Sequence, residues 1–265
     1  MLKLIQFLID LLFKVIPQPP LTLAQIKNIK IVAHRGCHES GLIENTLPAF
    51  VWCMDHNLWG IEFDIRFTSD NIPVVHHDSH CGRLFHKPQL IISQIKFIEL
   101  RNKIPDIPSL MEVVQKCGKS IHFMIEIKSV LSMDQNQILE NILAPIESKV
   151  DYHILSLKIE NFDSISFVKH DCYLPVAELN VGKFVNYAIQ KKYAGIAGHY
   201  LLITQSIIRR LSTFNLNTGV GYVASKNSLK REICRNHHWI FTDRASSVKE
   251  WVEKLSQSSN ANFEN

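Results

Sequence analysis

The chain has 265 residues, of which 46% are hydrophobic and 20% are charged, and its formal net charge is +4. This length fits one large domain, and the composition is that of an ordinary globular protein that can bury a substantial core. Because the charge is mild and the sequence has neither a Lys/Arg cluster nor an aromatic platform, a nucleic-acid-binding protein is disfavoured.

The first predicted element is an apolar helix over residues 1–16, which a Pro-rich stretch at 17–20 ends. Its polar residues recur at helical spacing and form one narrow stripe: Lys3, Gln6, Asp10 and Lys14. Sixteen residues are too few to span roughly 30 Å of hydrocarbon. Three interpretations stay open: the helix packs over the open end of the folded domain, lies in a membrane interface, or is a cleaved signal peptide. The charges of Asp10 and Lys14 disfavour the last, although Thr22-Leu23-Ala24 is a passable cleavage site.

From residue 29 onward, short apolar runs alternate with amphipathic segments. We predict strands at residues 30–34, 60–65, 121–127, 152–156, 173–178, 194–198, 218–223 and 238–242, and helices at residues 46–57, 108–117, 134–148, 159–168, 181–191, 203–213, 227–236 and 246–256. Eight strands, each followed by a helix, predict a (β/α)8 TIM barrel of the α/β class. A doubly wound sheet is the alternative, although no GxGxxG follows any strand. The predicted organisation is an N-terminal helix and linker (1–28), the barrel (29–256) and a polar tail (257–265).

One segment interrupts the alternation. After the second strand the chain reads RFTSDNIPVVHHD (66–78), with a turn signal at Asp70-Asn71 between two extended stretches. If these two residues form the loop, His77 lies opposite Asp64 on the same side of the hairpin, and His76 faces the other way. We therefore predict that His77 is functional and that His76 is a packed wall residue; a one-residue slip would reverse this.

Polar side chains gather at the ends of the first three strands, where barrel enzymes carry their chemistry. The first strand ends in His34-Arg35, and the second brings Glu62 and Asp64 to the same side. The third, SIHFMIEIK, turns Ile121, Phe123, Ile125 and Ile127 toward the helices, which leaves Glu126 and Lys128 facing the barrel mouth.

Three carboxylates that converge from neighbouring strands repel one another unless a cation neutralises them. A hard divalent ion with oxygen ligands does so, which favours Mg²⁺ or Ca²⁺ over zinc. The two histidines suit a general acid and base, and the cations suit a phosphate group. Cleavage of a phosphodiester is the reaction that uses all of these parts.

Four sequence blocks resemble the glycerophosphodiester phosphodiesterase family: HRGCHESGLIENT (34–46), IEFD (61–64), PVVHHD (73–78) and IEIK (125–128). The similarity extends weakly to WIFTDRASSV near the C-terminus, so it covers residues 29–256. It implies a barrel with a short insertion near residues 78–107. It also implies the roles of several residues: His34 and His77 as the acid/base pair; Glu62, Asp64 and Glu126 as ligands of one Mg²⁺ or Ca²⁺ ion; Arg35 and Lys128 on the phosphate; and Glu44 shaping the site.

The sequence departs from the family pattern in a late strand, where the family carries a Trp before Thr-Val-Asn. Here the corresponding run is GVGYVASKN, and Tyr222 is the expected substitute in contact with substrate. This departure concerns recognition of the glycerol or the headgroup rather than the chemistry.

The resemblance implies hydrolysis of glycerophosphodiesters to an alcohol and glycerol 3-phosphate. The apolar helix raises an alternative, lysophospholipase D activity on membrane lysophospholipids with membrane contact through residues 1–16. A catalytically inactive barrel that serves as a binding module is disfavoured, because every expected catalytic side chain is present. Six scattered cysteines without a CxxC pair favour a reducing cytoplasmic setting, with a peripheral place at the membrane as an option, over a secreted or periplasmic one.

Overall fold

Eight parallel strands form a closed barrel in the computed structural model, which describes residues 2–39 and 41–261, with side chains for 7–9, 11–39 and 41–257. The elements follow in this order: α1 (Leu2–Val15), α2 (Leu23–Lys27), β1 (Lys30–His34), α3 (Leu47–Asp55), β2 (Gly60–Phe67), β3 (Pro73–Val75), β4 (His80–Cys81), α4 (Gly82–Phe85), β5 (Lys87–Ile91), α5 (Phe97–Lys103), α6 (Leu110–Cys117), β6 (His122–Ile127), α7 (Met133–Leu143), β7 (Tyr152–Ser156), α8 (Ile159–Phe162), β8 (Tyr173–Ala177), α9 (Val181–Lys191), β9 (Gly195–His199), α10 (Gln205–Ser212), β10 (Asn217–Gly221), α11 (Lys226–Cys234), β11 (Trp239–Thr242) and α12 (Ala245–Ala261).

The barrel consists of β1, β2 and β6 to β11 in sequential order, and β1 closes it by pairing with both β11 and β2. All eight predicted strands are present, and the predicted (β/α)8 fold is confirmed. Helices begin where capping residues allow. For example, α6 follows Ser109, whose hydroxyl accepts a bond from the backbone N–H of Glu112 while the Glu112 carboxylate accepts one from that of Ser109.

The side chains of β6 alternate between two separate cores. Phe123, Ile125 and Ile127 pack with the surrounding helices in the larger core. Met124 points inward, into a smaller cluster that fills the barrel with Val32, Leu155, Leu174, Ala197, Trp239 and Phe241. This alternation matches the sequence prediction and leaves Glu126 on the inner side, at the carboxyl end of its strand.

The hairpin between β2 and β3 differs from the prediction by one residue. Ile65 pairs with Val75, and the loop has three residues rather than two, because the N–H of Thr68 bonds to the carbonyl of Ile72 at 3.1 Å. Asn71 adopts a left-handed conformation (φ 59°), as the last residue of a three-residue hairpin loop does. The predicted register, with His77 opposite Asp64, is therefore wrong.

The insertion at residues 78–107 is a small folded unit. It contains the β4–β5 ribbon, α4, a short 3₁₀ turn and α5. Its own apolar cluster packs on the hairpin: Val74, Cys81, Leu90, Ile92, Ile95, Leu100, Ile104 and Ile107. The insertion is thereby held beside the carboxyl end of β2.

The two ends of the chain are helical. The N-terminal α1 packs on α11 through Phe13, and the side chains of Lys3, Gln6 and Asp10, part of the predicted polar stripe, lie outside the described set. The predicted tail begins within α12, which continues to Ala261, and residues 262–265 lie outside the described chain. Among the described residues, no helix combines the length and apolar character needed to cross a membrane.

Candidate active site

A cavity of about 430 Å³ opens at the carboxyl end of the barrel. One half of its wall is polar: His34, Arg35, Glu62, His77, Glu126 and Lys128. The other half is mostly apolar but also holds Glu178 and His199; its apolar side chains are Leu155, Leu157, Val176, Ala177, Leu179, Ala197, Leu202 and Phe241. The cavity therefore combines ionic chemistry on the side of β1, β2 and β6 with a hydrophobic wall on the side of β7 to β9.

Three buried carboxylates meet beside the polar half. Asp64 on β2 is paired in register with Glu126 on β6, and Glu62 lies two residues before Asp64 on the same face of β2. One carboxylate oxygen from each lies within 4.8 Å of the other two. This is the predicted set of metal-ligating residues, and the structure brings all three together.

The charged groups around this triad set the pKa values of its carboxylates. Lys128 Nζ lies 2.7 Å from an oxygen of both Asp64 and Glu126, and against the opposing effect of burial it helps to hold the pKa of Asp64 at about 2. Burial and, after it, the neighbouring Asp64 raise the pKa of Glu62 to about 8. Three converging carboxylates form an all-oxygen donor set, which fits a hard divalent ion such as Mg²⁺ or Ca²⁺.

His34 stands at the end of β1 between two carboxylates. Its Nδ1 lies 2.5 Å from Oδ1 of Asp243, and its Nε2 lies 3.7 Å from Oε2 of Glu62. Burial opposes the charged form, but Glu62 and Asp243 outweigh it and raise the pKa of His34 to about 9. The ring is thus anchored on its Nδ1 side and presents Nε2 to the carboxylate cluster.

His77 reaches the cavity by a route other than the predicted one. Strand β3 ends at Val75, and the backbone N–H of His76 still bonds to the Asp64 carbonyl at 3.0 Å, so His77 lies beyond the ladder. His76 is 1% exposed, and its ring packs on Phe85. His77 lines the cavity, and its Nδ1 lies 2.7 Å from Oδ1 of Asp78.

His34 and His77 are therefore oriented in the same way. An imidazole whose Nδ1–H donates to a carboxylate presents Nε2 as a proton acceptor or, when protonated, as a donor. This arrangement can move one proton on each side of a bound group.

Arg35 occupies a strained turn between β1 and α3. Its φ is 58°, and its backbone N–H donates to Oε2 of Glu62 at 3.1 Å. Gly36 follows with φ 79°, and a Cβ there would approach Phe50 to 2.8 Å, so the close packing of the turn on α3 requires glycine. The turn places the Arg35 guanidinium 3.5 Å from Oδ2 of Asp64, beside the cavity.

Glu44, predicted to shape the site, lies behind Arg35 rather than in the cavity wall. It accepts a bond from Nη1 of Arg35 at 2.9 Å and two more, at 3.0 and 2.7 Å, from the guanidinium of Arg83. Arg83 also donates through Nε to Oδ2 of Asp78 at 2.7 Å. Arg83, a residue of the insertion, thereby links the two carboxylates that hold Arg35 and His77, which are those of Glu44 and Asp78.

Tyr222, the predicted substrate contact, lines the cavity near its apolar wall and is 65% exposed. Its ring stacks on His199, with 4.8 Å between the centroids. His199 belongs to the same wall, so two stacked rings border the cavity at the ends of β9 and β10.

Sequence reasoning missed four residues around the site: Asn45, Asp78, Arg83 and Asp243. Asn45 donates to Oδ2 of Asp64 at 2.9 Å from a left-handed turn. Asn45, Asp78 and Asp243 belong to the recognised blocks or stand beside them (ENT, HHD and FTD), so their position next to predicted site residues could have identified them. Arg83 gave no such signal, because its approach to Glu44 depends on the path of the insertion.

The model of the Glycerophosphoryl diester phosphodiesterase family matches residues 34–245. Glycerophosphodiester phosphodiesterase 1 from Homo sapiens is 38% identical over 102 residues, which is 34% of this chain and 30% of that protein. The Rattus norvegicus protein of the same name is 35% identical over 102 residues, which is again 34% of this chain and 30% of that protein. The chain thus matches less than a third of the length of these curated relatives.

Solved structures share the fold at low identity. A glycerophosphodiester phosphodiesterase from Thermotoga maritima superposes with a TM-score of 0.71 and 20% identity, covering 84% of this chain and 97% of that one. An Oleispira antarctica phosphodiesterase, solved in complex with the product sn-glycerol-3-phosphate, gives a TM-score of 0.71 and 16% identity over 84% of this chain and 96% of that one.

Proposed function

This chain belongs to the Glycerophosphoryl diester phosphodiesterase family, and on that premise we propose that it hydrolyses glycerophosphodiesters to an alcohol and glycerol 3-phosphate. The relatives named as glycerophosphodiester phosphodiesterases and the product complex of the Oleispira protein support this activity. One observation of the site carries the proposal. Two carboxylate-anchored histidines, two cations and a buried carboxylate triad border a single cavity.

In this proposal His34 and His77 are the acid/base pair. One accepts the proton of the attacking hydroxyl, and the other donates a proton to the leaving alkoxide, so that the P–O bond to the alcohol breaks as the new P–O bond forms. Arg35 and Lys128 bind the phosphoryl oxygens. The attacking group is the glycerol hydroxyl of the substrate, through a cyclic phosphate that water opens, or water itself.

Glu62, Asp64 and Glu126 would hold one divalent ion, Mg²⁺ or Ca²⁺, which would supply positive charge beside the phosphate. The carboxylates that lie against Lys128 in this structure are the same ones that would bind the ion. Burial and the charge of Asp64 raise the pKa of Glu62, and we expect a bound cation to lower it.

The direct test measures choline release from glycerophosphocholine with and without EDTA. We expect activity that EDTA abolishes and that added Mg²⁺ or Ca²⁺ restores. His34→Ala and His77→Ala should each lower kcat about 100-fold or more. His56→Ala is the matched control, because His56 is exposed and stacks on Trp52, away from the cavity. Activity that survives EDTA would remove the metal from the proposal, and inactivity on every diester would leave the barrel as a binding module.

A second candidate is lysophospholipase D activity, with contact between residues 1–16 and a membrane. The apolar half of the cavity favours it, because a glycerol phosphate headgroup needs no wall of leucine and valine, whereas an acyl chain does. Choline release from lysophosphatidylcholine should then exceed that from glycerophosphocholine in kcat/KM. The opposite order would limit the enzyme to deacylated substrates.

A further inference from the structure

Helix α1 carries an apolar face that the rest of the described chain leaves uncovered. Its side chains at helical spacing are between 41 and 74% exposed: Phe7, Leu8, Leu11, Leu12, Val15 and, just past the helix, Ile16. Neighbours at i and i+4 stand above one another, so these residues cover one side of the helix. Contiguous exposed apolar surface of this kind marks an interaction site on a protein.

The opposite side of α1 holds the helix in place. Phe13 is 9% exposed; the Arg231 guanidinium lies over its ring at 4.6 Å, and the ring of Tyr200 meets it edge-on at 6.2 Å. Ile9 packs against the same core. The exposed face is therefore turned outward by a defined contact with α11 and with the loop after β9.

This contact places α1 beside the mouth of the cavity. Tyr200 stacks on His199 at 4.8 Å, and His199 stacks on Tyr222 at the same distance. A continuous row of rings thus runs from Phe13 of α1 to the cavity wall. Arg235 fixes the loop that carries the row by donating to the carbonyls of Tyr200 and Ile203.

Exposed leucines also stand at or beside the mouth of the cavity. Leu201 follows Tyr200 and is 40% exposed, while Leu179 and Leu157 border the cavity and are 92% and 36% exposed. We call these three the rim leucines. Leu157 and Leu179 line the apolar side of the cavity, and Leu201 precedes Leu202 of the same wall.

Positive charge lies next to this surface. Lys14 is exposed in the last turn of α1, and α11, on which α1 packs, contributes Lys226 and Lys230. Lysines beside an apolar helix face favour contact with anionic lipid headgroups. A second copy of the chain would present the same positive charge and would be repelled there.

We propose that the exposed face of α1 and the rim leucines together dock on the surface of an anionic phospholipid bilayer, with the cavity mouth turned toward the lipid headgroups. The helix lies in the interface, since its 14 residues are shorter than the bilayer core. The proposal deepens the second candidate function and rests on it for the substrate, which would be a lysophospholipid taken from the membrane.

The test uses the full chain and sedimentation with vesicles of phosphatidylcholine and phosphatidylserine. We expect the protein to bind, and Leu8→Gln combined with Leu12→Gln to weaken binding at least about tenfold, because two apolar side chains leave the lipid. The matched control is Val150→Gln combined with Phe214→Gln. These two residues are equally exposed but precede β7 and β10 at the amino end of the barrel. The control should bind as well as the unmodified protein.

Choline release from soluble glycerophosphocholine separates this proposal from the proposed function. The double leucine variant should keep that activity and lose activity only on lysophosphatidylcholine held in vesicles. The docking surface would be overturned, whatever the enzyme hydrolyses, if the unmodified protein did not bind vesicles. It would also be overturned if the control variant lost as much vesicle binding as the double leucine variant. Self-association that the leucine substitutions abolish, without vesicle binding, would assign the face to a second copy and overturn the proposal as well.

Discussion

The carboxylate of Asp243 anchors His34, with 2.5 Å between Oδ1 and Nδ1. The carboxylate comes from the residue that follows β11, while the histidine ends β1, so the closure of the barrel brings the pair together. On the other side of the cavity, Asp78 anchors His77 in the same manner at 2.7 Å. Each proposed proton carrier therefore has its own carboxylate, and neither carboxylate belongs to the triad of Glu62, Asp64 and Glu126 that is proposed to bind a metal.

We predict that Asp243→Asn lowers kcat about 10- to 100-fold, because a hydrogen bond to a charged partner contributes about 1.5–3 kcal/mol. Asp243 also raises the pKa of His34, so the pH at which His34 loses its proton should move down in the variant. A pH–rate profile on glycerophosphocholine measures both effects. Asp171→Asn, in an exposed pair with Lys149, is the control and should change neither. An unaltered profile in Asp243→Asn would show that the anchor has no part in catalysis.

Arg83 gives a second prediction, because it links Glu44 and Asp78, the supports of Arg35 and His77. Arg83→Ala should lower kcat about tenfold and raise KM as well, since both supports lose a partner. Arg83→Lys should restore part of the loss, because an ammonium group reaches one carboxylate but does not reproduce the planar fork.

The control for Arg83 is Arg101, which makes a similar two-pronged pair with Glu112 in and beside the insertion but away from the cavity. Arg101→Ala should lower the Tm without changing kcat or KM. Equal kinetic losses in Arg83→Ala and Arg101→Ala would mean that Arg83 acts through the stability of the insertion alone.

The sequence predicts the barrel and the triad well, because both depend on local periodicity. Alternation along β6 assigns Glu126 and the apolar residues to opposite faces, and parallel strands bring their carboxyl ends to one edge whatever the loops do. The resemblance of four short blocks to a known family then supplied the roles of the residues in them.

The hairpin and the insertion depend on details that local patterns do not encode. Asp70-Asn71 suits a two-residue loop and equally the end of a three-residue loop, and the choice between them shifts the register by one residue. His77 nevertheless lines the cavity, because β3 ends before it. Likewise, the predicted helix 159–168 stops at Phe162, where the Ser164 hydroxyl bonds to the carbonyl of Asn161 instead.

The hairpin yields a third prediction, which separates two adjacent histidines. His76→Ala should lower the free energy of unfolding by about 1–3 kcal/mol with little change in kcat, because His76 is a buried wall residue against Phe85. His77→Ala should instead lower kcat with little change in the free energy of unfolding. Urea unfolding and choline-release assays on both variants measure the difference. A loss of kcat confined to His76→Ala would mean that His76, rather than His77, carries the proton.

The last prediction concerns the pH dependence of stability and a cluster of histidines at the amino end of the barrel. Nε2 of His122 lies 2.8 Å from Nδ1 of His153, and Trp59 stacks on His122. Both histidines are nearly inaccessible, and burial lowers the pKa of His122 to about 4 and that of His153 to about 3. The folded protein therefore keeps both rings neutral at pH values where the unfolded chain, with a pKa near 6.5, protonates them.

Because the unfolded state then binds more protons at these two rings, their contribution to the free energy of unfolding should fall as pH drops from about 6.5 toward 4. Each of the two histidines should contribute a loss of about 1–2 kcal/mol at pH 5. His34, whose pKa is raised, already contributes its full stabilisation below pH 6.5, whereas Glu62, whose pKa is raised to about 8, adds stability as the pH falls toward 4.5. The histidine effect is therefore the difference between the unmodified protein and a variant. Urea unfolding at pH 6.5 and 5.0 measures the slope of the free energy of unfolding against pH. Between these pH values His153→Gln should lose about 1–2 kcal/mol less stability than the unmodified protein, and the exposed control His56→Gln should match the unmodified protein. An equal slope in all three proteins would place the acid sensitivity elsewhere in the chain.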